Sequence, residues 1–144
     1  MALQDLHAGK LDQVRRLPAI ASGCSDAVLA ECLRTEAATA AAQAERLLRA
    51  GGDMEGPSNL WMNGILDDAE RDASQTQRGR LLDIALTGAI RKAKAAEIVS
   101  SETALRLATE LGLDDIVLAV EANRQDEIAA DRRLKACLYR LTGS

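Results

Sequence analysis

Apolar residues recur at intervals of three and four along most of this chain, which is the spacing of an amphipathic α-helix. Four long stretches rich in alanine and leucine show this pattern, with a shorter one between the second and third. Short polar connections between long helices favour antiparallel neighbours. The sequence therefore predicts an all-α fold, an antiparallel four-helix bundle with one additional short helix. The predicted helices run over Leu3–Ala21, from the cap Ser25 to Ala50, over Leu60–Ala73, over Leu81–Leu111, and from after Leu113 to Leu141.

Local signals mark irregularities within these helices. Pro18 lacks a backbone donor, so the first helix is expected to kink or end there. Ser25 is the predicted N-cap of the second helix, and Gly51-Gly52 is its stop signal. The longest helix spans roughly 45 Å at 1.5 Å per residue. Because this exceeds a compact globule of this size, we expect a break near Leu86–Gly88.

The short helix begins at a cap, either Ser58 or Asn59. An apolar group follows the cap and predicts a lid over one end of the bundle. The alternative is a dimer anchor, because Trp and Met are enriched at interfaces. The group consists of Trp61, Met62, Ile65 and Leu66.

The interior stripes of the four long helices are apolar at both ends and polar in the middle. The centres of antiparallel helices lie at similar height, so we expect these polar residues to meet. Buried charge is costly unless it is paired or bound to metal. The stripes are Leu3, Leu6, Lys10, Val14 and Leu17; Leu29, Cys32, Glu36, Thr39, Gln43 and Leu47; Leu86, Ile90, Lys94, Glu97, Ser101, Ala104 and Leu107; and Val117, Val120, Arg124, Glu127, Asp131, Leu134 and Leu138.

A central polar layer is where helical bundles build di-metal sites, commonly from carboxylates and Glu-x-x-His pairs. The single histidine, His7, lies outside any such spacing. Lys10 and Lys94 fall at interior positions, and an ammonium group cannot ligate a metal and repels a cation. Three interpretations stay open at this point: an internal salt-bridge network, lysines that reach solvent at the bundle edge, and a true metal site.

Composition narrows the function classes. A chain of 144 residues is expected to form one domain, residues 1–144. Its net charge of −4 disfavours nucleic-acid binding, and the pairs Arg15–Arg16 and Arg132–Arg133 are interpreted as solvated helix faces. No apolar run is long enough to span a bilayer, and the N-terminus does not resemble a secretory signal, so no membrane partner is expected.

Three cysteines lie far apart at Cys24, Cys32 and Cys137. This pattern predicts reduced thiols in a cytoplasmic protein rather than a disulfide framework. Cys32 and Cys137 lie in apolar helical runs and are expected to be buried. No motif for nucleophilic catalysis, phosphate binding or zinc proteolysis is present, so no catalytic residue is predicted.

Several segments, in order and spacing, resemble the YciF-like family of ferritin-fold stress proteins over nearly the whole chain. They are Leu3-Gln-Asp-Leu-His-Ala-Gly-Lys10 with Leu17-Pro18, Ala44-Glu-Arg-Leu47, Trp61-Met-Asn-Gly-Ile65, Ala96-Glu-Ile98, Leu111-Gly-Leu-Asp-Asp115, and Asp126-Glu127 followed by Asp131. The resemblance implies a ferritin-like fold in which two metal ions are held between the helices.

The resemblance also implies where the metal ligands should fall. The helix 1 glutamate falls at Lys10, and the helix 2 glutamate–histidine pair falls near Thr39 and Gln43. The first glutamate of the next pair falls at Lys94, and its histidine at Ala95. Most ligand positions are therefore substituted, which leaves Glu97, Glu127 and Asp131 in ligand-like places.

From these residues we expect no cofactor and a polar core network of Lys10, Glu36, Gln43, Lys94, Glu97, Glu127 and Asp131. The prediction is a non-catalytic, stress-associated bundle protein in the cytoplasm, assembled as a homodimer. One alternative is a divergent di-iron or di-manganese protein that uses Glu36, Glu97, Glu127 and Asp131. A second alternative is a helical adaptor that binds another protein.

Overall fold

The computed structural model describes residues 2–51 and 53–143, and these residues form five helices with no strand among them. The all-α prediction is confirmed, and each boundary lies within a few residues of its predicted place. The helices are α1 (Ala2–Ser22), α2 (Ala27–Gly51), α3 (Leu60–Gln75), α4 (Arg80–Glu110) and α5 (Asp114–Thr142). Gly52, the second half of the predicted stop signal, lies outside the described residues.

The four long helices pack as a bundle in which α1 lies against α2, α2 against α5, and α5 against α4. Helices α2 and α5 are antiparallel, because Asp26 at the start of α2 contacts Arg140 at the end of α5. The fourth seam, between α1 and α4, is partly occupied by α3, which packs against both helices.

Helix α3 runs alongside α1 instead of crossing the end of the bundle as a lid. Its cap Asn59 donates from Nδ2 to the carbonyl oxygen of Asp5 at 2.8 Å. About two and three helical turns beyond Asn59, Asp67 and Glu70 of α3 bind the guanidinium of Arg16. Met62 and Leu66 are buried between the helices, which explains the apolar group seen in the sequence.

The apolar interior is divided into two clusters. The large apolar cluster joins all five helices and includes Leu17, Leu33, Leu66, Leu86 and Leu134. The small apolar cluster lies towards the other end of the bundle and comprises Leu6, Leu47, Ala104, Ala119 and Val120. The polar centres of the four long helices lie between the two clusters.

Helix α4 is continuous over 31 residues, so the predicted break near Leu86–Gly88 is wrong. Leu86 is fully buried in the large cluster, where α4 packs against α3 and α5. The excess length is accommodated at the other end, where Leu107 of the predicted interior stripe is 53% exposed.

The first helix also passes its proline. Pro18 is exposed, and α1 continues to Ser22 because Leu17 and Ile20 on its buried face are held in the large cluster. Ser22 Oγ donates to the carbonyl oxygen of Pro18. An early end of α1 at Pro18 is therefore wrong, although the proline leaves the helix without one backbone hydrogen bond.

Helix α2 is capped by Asp26 and not by Ser25. Asp26 Oδ2 accepts from the backbone nitrogen of Leu29 at 2.8 Å. Ser25 instead donates from its hydroxyl and its backbone nitrogen to the buried Asp83 of α4. Of the two predicted caps of α3, Ser58 and Asn59, the structure shows Asn59. Its Oδ1 accepts from the backbone nitrogen of Met62 at 2.9 Å.

Candidate functional site

Five charged side chains from four helices meet between the two apolar clusters, and all five are buried. Lys10 comes from α1, Glu36 from α2, Lys94 and Glu97 from α4, and Glu127 from α5. Each is at most 2% exposed, and the two lysines are among the largest fully buried side chains of the protein. With Gln13, Ser101 and Arg133 they form the central network.

Lys10 joins two acidic side chains from different helices. Its Nζ lies 2.5 Å from Glu97 Oε2 and 2.8 Å from Glu127 Oε1. The second oxygen of Glu127 accepts from the hydroxyl of Ser101 at 3.2 Å. Both oxygens of Glu127 therefore have a donor, as a buried carboxylate requires.

Lys94 satisfies all three of its ammonium donors. Its Nζ lies 2.9 Å from Glu36 Oε2, 2.9 Å from Glu97 Oε1 and 2.7 Å from Gln13 Oε1. Gln13 in turn donates from Nε2 to Glu97 Oε2 at 2.9 Å. The Glu97 carboxylate thus lies between the two ammonium groups, with one oxygen directed to each.

Arg133 balances the charge of the network. Its Nη2 lies 3.2 Å from Glu36 Oε1, although half of the side chain is exposed. The three carboxylates Glu36, Glu97 and Glu127 are then matched by three cations, Lys10, Lys94 and Arg133. The network is formally neutral with ionised groups and needs no further cation.

The surroundings separate the pKa values of the two carboxyls that share Lys10. Burial raises the pKa of Glu97, but the charges of Lys10 and Lys94 outweigh it and bring this pKa down to about 2. Burial raises the pKa of Glu127, and here only Lys10 opposes it at contact distance while the charge of Glu97 reinforces it, so the pKa stays above its ordinary value. Lys94 is also stripped of water, yet Glu97 and Glu36 hold its pKa above the ordinary value.

Two residues of the expected network lie outside it. Asp131 is at the bundle surface, where Arg91 binds both its oxygens at 2.7 and 3.2 Å. Gln43 is buried but is paired with Asn123, and each side chain donates to the backbone carbonyl of the other. Gln43 follows Glu36 on α2, and Asp131 follows Glu127 on α5, so both lie beyond the level of the two ammonium groups. Helical spacing gives the face of a residue but not this level, so it could not exclude them.

Three members of the central network were absent from the expected set. Gln13 is buried three residues after Lys10, whereas the expected stripe stepped four residues to the half-buried Val14. Ser101 was on the expected stripe, but its hydroxyl was not assigned to the network. Arg133 was interpreted as part of a solvated face, and only the proximity of α2 shows that its head group turns inward.

The central network does not fit a di-metal centre. Both carboxylate oxygens of Glu97, which would be needed to bind metal, contact the ammonium nitrogens of Lys10 and Lys94 instead. Within residues 2–51 and 53–143, no three His, Cys, Asp or Glu side chains are arranged to hold a metal ion. Ala95, where the resemblance placed a histidine, is exposed, so a side chain at this position points away from the interior.

The comparisons with known proteins agree with this architecture. A family model described as "Domain of unknown function (DUF892)" matches residues 1–144. A search of curated proteins finds no match. None of the described helices combines the length and apolar character needed to cross a membrane.

Two solved structures share the fold. The crystal structure of the E. coli stress protein YciF has a TM-score of 0.94 at 21% identity, covering 99% of this chain and 93% of that chain. YcfI of Rhodopseudomonas palustris, a proposed structural protein, has a TM-score of 0.87 at 25% identity, covering 93% and 88%. The resemblance to YciF-like proteins and the helical-bundle prediction are confirmed.

Proposed function

Because this chain belongs to the DUF892 family, we propose that it is a non-catalytic, ferritin-like bundle protein associated with stress. In this proposal, the Lys/Glu network occupies the place of a di-metal centre, and the protein acts through its structure and its surfaces. The observation that carries the proposal is the position of the Lys10 and Lys94 ammonium groups, each within 3 Å of two carboxylates in the sealed interior.

The chemistry of the network supports a structural role. Its five buried charges are at most 2% exposed, so a substrate cannot reach them without opening the bundle. Charge pairs of this kind add little net stability compared with apolar packing, but they specify which residues face one another. The network therefore defines the relative height of α1, α2, α4 and α5.

Metal content tests the proposal directly. The full chain is purified without chelator, incubated with and without Fe(II) or Mn(II), desalted and measured by elemental mass spectrometry. We expect far less than one ion per chain, because two ammonium groups repel a cation at the required position. Retention of about two ions per chain, the content of a di-metal bundle, would reject the proposal and favour the divergent metalloprotein.

A charge-reversal variant provides a second test. The double change Lys10→Glu with Lys94→Glu places five carboxylates together, so we expect a lower melting temperature without metal and a gain when Mn(II) or Fe(II) is added. The chain offers a matched control, since its two other lysines, Lys92 and Lys135, are exposed. Changing both of these to Glu alters net charge equally and should leave melting almost unchanged.

The stress association rests on the fold shared with the stress protein YciF. The three free cysteines support a cytoplasmic location, because thiols there are kept reduced. Immunoblotting of fractionated cells before and after osmotic or oxidative challenge tests both points. We expect a rise in the cytoplasmic protein, and a constant level under every challenge would remove the stress association.

An exposed apolar surface supports self-association as a homodimer. Leu107, Leu111, Leu113 and Ile116 surround a shallow cavity of about 250 Å³ where α4 turns into α5, and Leu111 is 71% exposed. We expect sedimentation equilibrium to show a dimer, and Leu111→Glu to shift it to monomer. A monomeric wild type would favour the adaptor alternative, in which the same surface binds a helix of another protein.

A further inference from the structure

Two cysteines lie on opposite sides of the seam between α2 and α5, about one helical turn from Glu36 and Arg133 of the central network. Cys32 of α2 and Cys137 of α5 line the same open groove of about 600 Å³. Cys137 is 5% exposed and Cys32 is half-buried, so one thiol of the pair can be reached from the groove. Both sulfurs are free thiols.

The register of the two antiparallel helices puts these cysteines opposite each other. Asp26 contacts Arg140 on one side of the pair, and Glu36 contacts Arg133 on the other. Along α2, Cys32 lies between Asp26 and Glu36. Along α5, Cys137 lies between Arg133 and Arg140. The register and the shared groove therefore place the two thiols at the same level of the seam.

The neighbours of the pair combine small side chains with two cations. Ala27 and Ala136 line the groove, and small residues at a helix seam let the backbones approach closely, as a disulfide requires. Arg133 and Arg140 line the same groove. Burial, then Cys137 and Glu36, raise the pKa of the Cys32 thiol to about 11, so the pair reacts slowly until oxidant is abundant.

We propose that Cys32 and Cys137 are an oxidative modification site, at which a hydroperoxide converts two free thiols into one reversible disulfide between α2 and α5. One thiolate attacks the peroxide oxygen, the O–O bond breaks, and hydrogen peroxide leaves one water and a sulfenic acid. The second thiol attacks that sulfur, the S–S bond forms, and a second water leaves. Two thiols are oxidised, one peroxide is reduced, and a thiol reductant reverses the change.

The disulfide would close a covalent ring through most of the chain. It would join α2 to α5, the helices that carry Glu36 and Glu127 of the central network. Because it restricts the unfolded chain over a long loop, we expect the thermal midpoint to rise by on the order of 10 °C. A transient bond of this kind is the form in which disulfides occur in reducing compartments.

Disulfide mapping of the folded wild-type chain tests the proposal. The protein is treated with hydrogen peroxide, blocked with iodoacetamide and digested without reduction. Trypsin leaves Cys24 and Cys32 in one peptide, because no Lys or Arg separates them, so a protease that cleaves after Glu31 is added. We expect an intact mass lower by two hydrogens, one peptide joining Cys32 to Cys137, and reversal by dithiothreitol.

The remaining cysteine supplies the matched control. Cys24 is buried at the α1–α2 turn, so Cys24→Ser should oxidise as the wild type does, whereas Cys32→Ser and Cys137→Ser should form no internal disulfide. In urea the short ring between Cys24 and Cys32 should form first instead. The proposal is overturned if the folded chain yields disulfides through Cys24, only links between chains, or only over-oxidised or unmodified thiols.

Discussion

The large apolar cluster and the two lysines of the central network are equally closed to water, but they determine the fold differently. Leu33, Leu66 and Leu86 are 0% exposed, as are Lys10 and Lys94. Apolar packing has no direction and tolerates substitutions of similar volume. The ammonium groups must meet particular oxygens from other helices, so the network selects one alignment of the bundle. The apolar cluster therefore supplies stability and the network supplies register.

Removing one cation of the central network should cause the largest loss in the free energy of unfolding. Lys10→Met leaves Glu97 and Glu127 short of a buried partner, and we expect the free energy of unfolding to fall by about 3–5 kcal/mol. Urea denaturation measures this loss. A loss below about 1 kcal/mol, the value typical of an exposed pair, would mean that the amine is not buried in solution.

A cavity in the large apolar cluster should lower the free energy of unfolding by a comparable or smaller amount, and this loss should depend differently on pH. Leu86→Ala removes a fully buried side chain from α4, with an expected loss of about 2–5 kcal/mol. This loss should not depend on pH, whereas the loss for Lys10→Met should shrink in acid as its carboxylate partners become protonated. Equal pH dependence of the two variants would contradict the division of roles.

The pH dependence of the wild type should be biphasic. The pKa of Glu127 is raised in the folded protein, so the fold gains stability as pH falls from neutral towards 4.5, the ordinary value. The pKa of Glu97 is lowered to about 2, so its contribution, present above 4.5, is lost as pH falls further. Urea midpoints across this range measure both phases, and Glu127→Gln should remove the first while keeping the second.

The smallest effect is expected at Asp131, which the sequence predicted within the polar network and, in the metalloprotein alternative, as a ligand. Asp131 and Arg91 are about 30% exposed, so water screens their attraction. We expect Asp131→Asn to change the free energy of unfolding by less than about 1 kcal/mol and to leave metal content unchanged. A loss as large as that of Lys10→Met would place Asp131 functionally within the network.

Helical spacing was sufficient to predict the bundle, because each long helix repeats its apolar positions at the period of the helix. It also placed Lys10, Glu36, Lys94, Glu97 and Glu127 in the interior. Spacing could not decide the exact height at which each helix contributes, so Asp131 was included although it lies at the surface. Arg133 was missed for the converse reason, since a long side chain can start on an exposed face and end in the interior.

The continuous α4 and the uninterrupted α1 illustrate a second limit. The length of α4 and Pro18 within α1 are features of single segments, and each predicted an interruption of its helix. The partners that override them come from distant parts of the chain, such as α3 packed beside α1. Sequence pattern without contacts does not contain this information.

The bond between Lys10 and Glu127 joins positions 117 residues apart in the chain. As the ribosome delivers the chain, Lys10 and Lys94 emerge before Glu127 exists, so the charges of α1 to α4 balance but Lys10 lacks one of its two buried carboxylates. We expect this interior to stay hydrated until α5 arrives, so a chain truncated before Glu127 should remain sensitive to protease. Contacts of such long sequence separation form late in folding, and they then act mainly to slow unfolding.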